Sequence, residues 1–219
     1  MPSIETHTCD SMAFEAKNFD NILGTKGFSD TMLKNHFTLY QGYVANTNKM
    51  EEALRTYLKD GKTTTPEYAE MKRRIAWEFN GMRLHELYFG NMTKSANVLD
   101  KHSALFKKIV EDLGSFEIWE HAFRATGAMR GIGWTVMYYE PGSGHIYNAW
   151  INEHDVGHLC GATPLLVMDV FEHAYMTDYG IKRADYIEAF MNAIDWQKVA
   201  ERYEHVPMTT ILPKSKQHP

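Results

Sequence analysis

The sequence predicts an α+β fold, in which an N-terminal antiparallel helical hairpin is followed by an α/β domain with a three-stranded antiparallel sheet. Two long stretches near the N-terminus repeat their apolar residues at helical spacing. A later stretch changes to β-branched and aromatic residues separated by a glycine-rich turn. This change of period predicts a division into residues 1–94, which contain the hairpin, and residues 95–219, which contain the sheet.

The hairpin is predicted from two helices and the turn between them. Ser29 or Asp30 is a suitable cap for a first helix over residues 31–58, where apolar residues recur on one face. A threonine-rich turn with a proline near its end precedes a second helix over residues 67–88. Two long helices joined by a short polar loop form an antiparallel pair.

The remainder of the chain is predicted to contain further helices around a small sheet. The segments in chain order are helices over 98–113 and 115–130, strands over 134–140, 145–152 and 164–170, and a last helix over 183–203.

Composition excludes several classes of function. The 219 residues are 44% hydrophobic and 23% charged, as in ordinary globular proteins, and the net charge of −5 gives no reason to expect nucleic acid as a partner. No apolar run approaches the ~20 residues that span a membrane. The N-terminal segment carries acids and no apolar core, so we expect no signal peptide and a cytoplasmic protein. Cys9 and Cys160 form no CxxC pair, so we expect neither a disulfide framework nor a thiolate zinc site.

An acid and a histidine at the end of the third predicted strand form a candidate site. The apolar run before Asp169 predicts a buried strand, and His173 follows one helical turn later. A carboxylate and neutral imidazoles suit Mn, Fe or Zn. On spacing alone, a buried histidine hydrogen-bonded to an acid explains this pair equally well.

The two long helices offer further ligands of the same chemistry. His36 lies in the middle of the first helix among apolar residues, and His85 lies late in the second. Together with Asp169 and His173 they would give three imidazoles and one carboxylate, and would leave room for a solvent or substrate ligand.

Four segments resemble the iron/manganese superoxide dismutase family. The stretch DVFEHAY, which begins at Asp169, resembles the family's D-x-W-E-H-A-Y signature. Upstream, NHFTLYQGYVANTN resembles the first metal helix, RLHELYF the second ligand segment, and GIGW at 131–134 the family's G-x-G-W before the sheet. The resemblance covers about residues 14–204.

The resemblance implies disproportionation of superoxide to dioxygen and hydrogen peroxide, with one Fe or Mn ion per subunit. The implied metal ligands are His36, His85, Asp169 and His173. The near-copy WEHAF at 119–123 falls on a segment without a ligand role in the family, so His121 is expected on a helix surface.

Further roles follow from the same resemblance. It implies that Tyr43 and His154 hold the solvent on the metal and feed protons, and that Trp134 and Phe171 keep the pocket dry. It also implies that Arg183 helps to attract the anion, and that Glu172 and Tyr175 lie at the interface of a homodimer or homotetramer.

The first helix departs from the family pattern in its spacing. Tyr43 follows His36 at a spacing of seven positions, where the family usually has eight, and an alignment without a gap would place Asn35 at the ligand position. We prefer His36 because imidazole is much the better ligand. A spacing of seven keeps both side chains on one face of a regular helix, so we expect no π-bulge here.

Two other departures concern groups around the metal. Phe171 replaces the tryptophan of the family motif and so loses an N–H donor. The family's glutamine, which hydrogen-bonds the solvent on the metal, comes from either of two places. One place is Gly81 here, and the other holds His154, as in some members of the family.

Other functions stay open at this stage. The same metal set could serve another mononuclear-metal redox enzyme, or a metal-free interaction protein could have kept the scaffold. A di-iron bundle is a poor fit because the chain has no pair of Glu-x-x-His motifs. The remaining histidines with no motif behind them are predicted to be solvated or structural: His102, His145, His158 and His205.

Overall fold

The N-terminal part of the computed structural model is the predicted helical hairpin. The structure describes residues 13–95 and 97–207. Helix α1 spans Asp30–Lys59, helix α2 spans Pro66–Phe89, and the two pack against each other. Helix α1 is α-helical over its whole length, which confirms the regular first helix that the seven-residue spacing predicted.

Local capping explains where the hairpin helices begin. The Ser29 hydroxyl accepts a hydrogen bond from the Met32 amide at 3.1 Å and so satisfies one free donor of α1. That hydroxyl and the Ser29 amide both donate to the Asp178 carboxylate, at 2.6 and 2.7 Å, which ties the start of α1 to the C-terminal part of the chain. Helix α2 has Thr65 as its cap and Pro66 in its first turn, where a proline loses no hydrogen bond.

The following part contains the predicted sheet, flanked by helices. The elements in chain order are α3 (Ala104–Leu113), α4 (Phe116–Gly127), β1 (Gly133–Glu140), β2 (His145–Asn152), β3 (Thr163–Asp169), α5 (Met176–Tyr179), α6 (Arg183–Met191) and α7 (Trp196–Glu204).

The predicted helix over 183–203 is wrong as a single element. The chain leaves the helix after Met191, and the Asp195 side chain accepts from the Lys198 amide at 3.3 Å to cap a separate α7. The predicted helix over 98–113 likewise begins later, at Ala104, because Ser103 caps it by accepting from Phe106.

The start of β1 and the ends of β2 and β3 lie side by side at one end of the sheet, which we call the sheet edge. Its order is β2-β1-β3 with antiparallel pairing throughout, so β1 lies in the centre and is almost fully buried. Trp134 near the start of β1 pairs with Ile151 near the end of β2 and with Asp169 at the end of β3. Helix α2 packs against β3, so this edge faces the hairpin.

Two buried tyrosines fix the end of β3 beneath the hairpin. The Tyr186 hydroxyl donates to the Asp169 backbone oxygen at 2.5 Å and lies 3.1 Å from the Tyr88 hydroxyl of α2. The end of β3 is therefore held between α2 and α6. Among the described helices, none combines the length and apolar character that crossing a bilayer requires.

Candidate metal centre

Four potential metal ligands meet where the hairpin covers the sheet edge. His36 comes from the middle of α1 and His85 from the last turns of α2. Asp169 ends β3, and His173 lies in the short 3-10 helix Glu172–Ala174 that follows. The fold thus brings together side chains that are up to 137 positions apart in the sequence (36 to 173).

The three imidazoles converge on one carboxylate oxygen. Asp169 Oδ2 lies 3.2 Å from His36 Nε2, 3.1 Å from His173 Nε2 and 3.7 Å from His85 Nε2. One ligand atom from each of the four residues lies within 4.8 Å of the others. Ligand atoms at about 2.0–2.2 Å from a shared cation are at most ~4.4 Å apart. If the longest distances between these ligand atoms shortened by a few tenths of an ångström, all four atoms could bind one ion.

The hydrogen bonding of His85 shows that this cluster fits a cation. His85 Nδ1 lies 2.6 Å from the Gly81 carbonyl, which can only accept, so Nδ1 carries the proton. In the neutral ring, Nε2 is then an unprotonated acceptor. This atom is buried and has no hydrogen-bond partner. A buried nitrogen lone pair directed at a carboxylate oxygen needs a positive group between them, and a metal ion supplies it.

The protonation states of the four residues also bear on metal binding. Burial lowers the pKa of His85 well below its usual value and, despite the Asp169 hydrogen bond, also lowers that of His36, so both rings stay neutral. Burial would raise the pKa of Asp169, but the neighbouring His173 charge and the hydrogen bonds from His173 and His36 outweigh it and hold it well below the usual range. Burial would lower the pKa of His173, but the Asp169 charge and hydrogen bond outweigh it and raise that pKa. An ionised carboxylate and neutral imidazoles are the forms that bind metals, so Asp169, His36 and His85 are ready to bind, and His173 would release its proton when a metal binds.

Access to the cluster is on the His173 side. The His173 side chain is 24% exposed, whereas the side chains of His36, His85 and Asp169 are at most 1% exposed. The Phe171 ring stacks on His173 with centroids 5.1 Å apart. The wall near the opening is therefore aromatic, and the remaining ligands are shielded from bulk water.

A hydrogen-bonded chain of three side chains adjoins the ligands. The Trp134 indole N–H donates to His154 Nδ1 at 3.0 Å. Because indole only donates, Nδ1 must be an acceptor, and the proton of the neutral ring lies on Nε2. His154 Nε2 is 2.8 Å from the Tyr43 hydroxyl and therefore donates to it. The Tyr43 ring in turn stacks on His85 at 5.1 Å.

Gly81 is coupled to the position of Tyr43. A Cβ at position 81 would lie 2.6 Å from the Tyr43 ring, far inside van der Waals contact. The Tyr43 ring thus occupies the space into which a side chain at position 81 would project. In this protein a glutamine side chain at position 81 would therefore have no room. The His154 side chain, hydrogen-bonded to Tyr43, approaches the space beside the ligands from the sheet instead.

The other predicted residues lie at the edge of this arrangement. Arg183 donates to the carbonyl oxygens of Met129 and Gly131, at 2.6 and 2.7 Å, and to the Tyr175 hydroxyl at 3.3 Å. Tyr175 is buried, and Glu172 is exposed next to His173.

Trp77 of α2 also borders the site, although it was not among the predicted residues. Its indole N–H donates to the Glu153 carboxylate at 3.0 Å, and its ring centroid is 4.4 Å from that of His154 and 5.5 Å from that of Tyr43. The available signal was spacing, because residues 77, 81 and 85 follow one another at intervals of four and share a helix face.

The histidines without a motif lie outside the metal cluster. His121 is exposed on α4, as predicted for the near-copy WEHAF, and His102, His145 and His205 are exposed as well. His158 is half-buried and bonds to the His154 backbone and to Tyr138.

Comparison with known proteins gives a consistent result. Residues 101–202 match the profile described as iron/manganese superoxide dismutases, C-terminal domain. The chain is 36% identical over 169 residues to "Superoxide dismutase [Mn] 2" of Haloferax volcanii, which covers 77% of this chain and 83% of the relative. It is also 36% identical over 184 residues to "Superoxide dismutase [Fe]" of Aquifex pyrophilus, covering 82% and 85%.

A third relative extends the range of organisms. "Superoxide dismutase [Fe]" of Cupriavidus metallidurans is 33% identical over 181 residues, which is 81% of this chain and 89% of the relative. The similarity includes the hairpin as well as the sheet, and the described structure contains the His36, His85, Asp169 and His173 cluster. The chain belongs to the iron/manganese superoxide dismutase family.

Proposed function

We propose that this protein disproportionates superoxide to dioxygen and hydrogen peroxide, using one Fe or Mn ion held by His36, His85, Asp169 and His173. The observation that carries the proposal is the approach of three Nε2 atoms to Asp169 Oδ2, with His85 Nε2 left without a partner. The bound ion supplies reversible one-electron redox chemistry. The side chains around it position the substrate, control its protons and exclude water.

Tyr43 is a proton-holding group whose ring stacks on the ligand His85. Its oxygen accepts from His154 Nε2, so its own hydroxyl hydrogen is free to donate to a solvent or substrate atom. Burial, reinforced by the Asp169 charge, raises the pKa of Tyr43, so the hydroxyl stays protonated at neutral pH. Tyr43 can thus hold a hydrogen bond to a reduced oxygen species throughout the pH range of the cell.

His154 orients Tyr43 but does not relay protons to it. Burial lowers the pKa of His154 to about 4, so the ring is neutral at physiological pH. Its Nδ1 is occupied by the Trp134 indole, which has no acceptor site through which a proton could be replaced. Protons therefore reach Tyr43 from the solvent side, and His154 acts as a fixed donor in place of the glutamine of other family members.

Arg183 attracts the anionic substrate to a protein of net negative charge. In the described part of the structure its side chain donates to two carbonyl oxygens and one hydroxyl, all neutral acceptors. These bonds fix the guanidinium without neutralising it, so its field remains available for steering. Phe171 and Trp134 contribute apolar surface that keeps water from the ligands.

The protein functions in the cytoplasm as a homodimer or homotetramer. Glu172 is exposed beside the one partly accessible ligand, His173, which makes it available to a second subunit at the edge of the site. Tyr175 follows in the same segment and is fixed by Arg183. A two-fold interface would place each Glu172 near the partner's site.

Light scattering tests this assembly. The wild-type protein is expected at two or four times the mass of one chain, and Glu172→Lys is expected to shift it towards the monomer because it reverses the charge at the interface. Glu117→Lys is the matched control, since Glu117 is an exposed glutamate on α4, just before the WEHAF stretch and away from the metal cluster. A monomeric wild type, or equal effects of both substitutions, would contradict the assignment.

Substitutions at His154 test its role as a fixed donor. Glutamine can accept from Trp134 and donate to Tyr43, so His154→Gln is expected to keep kcat within about threefold of wild type. His154→Leu removes both bonds and leaves a buried indole donor unpaired, and is expected to lower kcat by about 10- to 100-fold, the range typical of groups around a metal site. Stopped-flow decay of superoxide with metal-loaded protein measures both. Equal rates for the glutamine and leucine variants would show that the hydrogen bonds do not matter.

The overall reaction is tested by superoxide turnover with protein loaded separately with iron and with manganese, using His173→Ala as the ligand-deficient control. Turnover that depends on metal and on His173 supports the proposal. A metal-loaded protein that does not accelerate superoxide decay would favour another mononuclear-metal redox enzyme on the same scaffold.

A further inference from the structure

A second histidine contacts the backbone of His154. His158 Nε2 lies 2.8 Å from the His154 carbonyl oxygen, and His158 Nδ1 lies 2.8 Å from the Tyr138 hydroxyl. The carbonyl can only accept, so Nε2 carries the proton and donates. In the neutral ring Nδ1 is then an acceptor, and the Tyr138 hydroxyl donates to it. Tyr138 thereby selects the tautomer of His158 that can bind His154.

The backbone at His154 is in a conformation that requires support. Glu153, the preceding residue, has φ of +52°, in the left-handed region that residues other than glycine rarely occupy. The His154 side chain is bonded at both ring nitrogens, to Trp134 and to Tyr43. A hydrogen bond to the His154 carbonyl therefore fixes the remaining freedom of the residue, namely the orientation of its peptide group.

The His158 bond is not what closes this turn. Asn152 and Val156 already close it through two backbone hydrogen bonds, from Asn152 N at 2.8 Å and from Val156 N at 3.3 Å. The Trp77 indole also holds the Glu153 side chain at 3.0 Å. The contact from His158 adds a constraint that acts specifically on His154.

We propose that His158, oriented by Tyr138, is a positioning residue that sets the location of the His154 imidazole and, through it, of the Tyr43 hydroxyl. This inference rests on the proposed function for its effect on turnover, but its geometric content is independent of it. His158 acts through His154, since its two ring nitrogens bond to the His154 backbone and to Tyr138.

Three substitutions separate positioning from general stability. His158→Leu removes the donor, whereas His158→Gln can place an amide N–H near the position of Nε2. Tyr138→Phe keeps His158 but removes the hydroxyl that selects its tautomer, and it provides a milder variant if His158→Leu folds poorly. A cavity of about 160 Å³ borders both side chains, so leucine and glutamine can be accommodated at position 158. The matched control is His121→Leu on the exposed face of α4.

Crystal structures and kcat of the metal-loaded variants are the readouts. In His158→Leu the His154 Nε2 to Tyr43 Oη separation is expected to lengthen from 2.8 Å beyond the ~3.5 Å at which a hydrogen bond is lost. The kcat is expected to fall roughly 3- to 10-fold, less than for a group that adjoins the ligands directly. His158→Gln is expected to keep both the separation and kcat near the wild-type values, and Tyr138→Phe is expected to give values between those of wild type and His158→Leu. His121→Leu is expected to change neither the separation nor kcat.

The outcomes are distinguishable from failure of the proposed function. If the wild type does not turn over superoxide, the separation in the crystal structures still tests the inference. An unchanged His154–Tyr43 separation in His158→Leu would overturn it. It would also be overturned if the glutamine variant lost as much kcat and melting temperature as the leucine variant, because loss of the donor would then not be the cause.

Discussion

Replacing Asp169 with asparagine is expected to eliminate metal binding and superoxide turnover together. Asp169 Oδ2 is the atom on which all three imidazoles converge, and its carboxylate is the single anionic ligand of the cluster. Asparagine has nearly the same shape but is neutral. Outer partners of metal ligands typically contribute 10- to 100-fold to affinity, so losing the charged ligand itself is expected to cost more than about 100-fold.

Metal analysis of purified protein and stopped-flow superoxide decay measure the two effects. The matched control is Asp112→Asn, since Asp112 is also a shielded carboxylate bonded to a histidine, His145, but belongs to no such cluster within residues 13–95 and 97–207. The control is expected to retain about one metal per chain, as expected for a single site. An Asp169→Asn protein with full metal content and wild-type turnover would refute the assignment of this ligand.

Removing the metal is expected to lower the melting temperature of the wild-type protein substantially. Without an ion, His85 Nε2 is a buried acceptor with no partner, and it lies next to a buried carboxylate that is hydrogen-bonded by His36 and His173. A metal that binds only the folded state, at a free concentration 1,000 times its Kd, stabilises that state by about 4 kcal/mol. For a chain of this size this corresponds to roughly 10 °C.

Differential scanning calorimetry of the chelated and reloaded protein measures this difference. His173→Ala is the control, because it lacks one ligand and is expected to show a much smaller response to added metal. Identical melting temperatures of the chelated and reloaded wild type would mean that the cluster does not bind the ion in the folded state.

The hairpin and the sheet could be predicted from the sequence because their signals are local. The period of the apolar residues predicted the two long helices. The glycine-rich turn between two strand patterns indicated that β1 and β2 are antiparallel neighbours, as the structure shows. The break between α6 and α7 was missed because apolar periodicity continues across it. The signal that distinguishes the two helices is the Asp195 cap, a single side chain bonded to the Lys198 amide.

The candidate metal ligands could be predicted because each belongs to a recognisable segment, and the described structure brings the four together. The state of each ring could not be predicted. The unprotonated Nε2 of His85 depends on the Gly81 carbonyl, and the tautomer of His154 depends on the Trp134 indole. These partners become neighbours only after α2 and the sheet have packed.

The close fit of Gly81 against Tyr43 shows the same dependence on packing. The sequence indicated that position 81 lacks the family's glutamine, but it gave no physical reason. In the structure, the Tyr43 ring fills the space that a side chain at 81 would need. Trp77 was overlooked, and His158 was predicted only to be solvated or structural, because their contacts with the Tyr43 and His154 region are formed by tertiary structure.

The most direct test is anomalous X-ray diffraction from crystals of the protein loaded with iron or manganese. One anomalous peak is expected at about 2.0–2.2 Å from the Nε2 atoms of His36, His85 and His173 and from Asp169 Oδ2. A metal peak elsewhere in the molecule, or a protein that takes up no metal while His85 Nε2 finds a hydrogen-bond partner, would contradict the central claim.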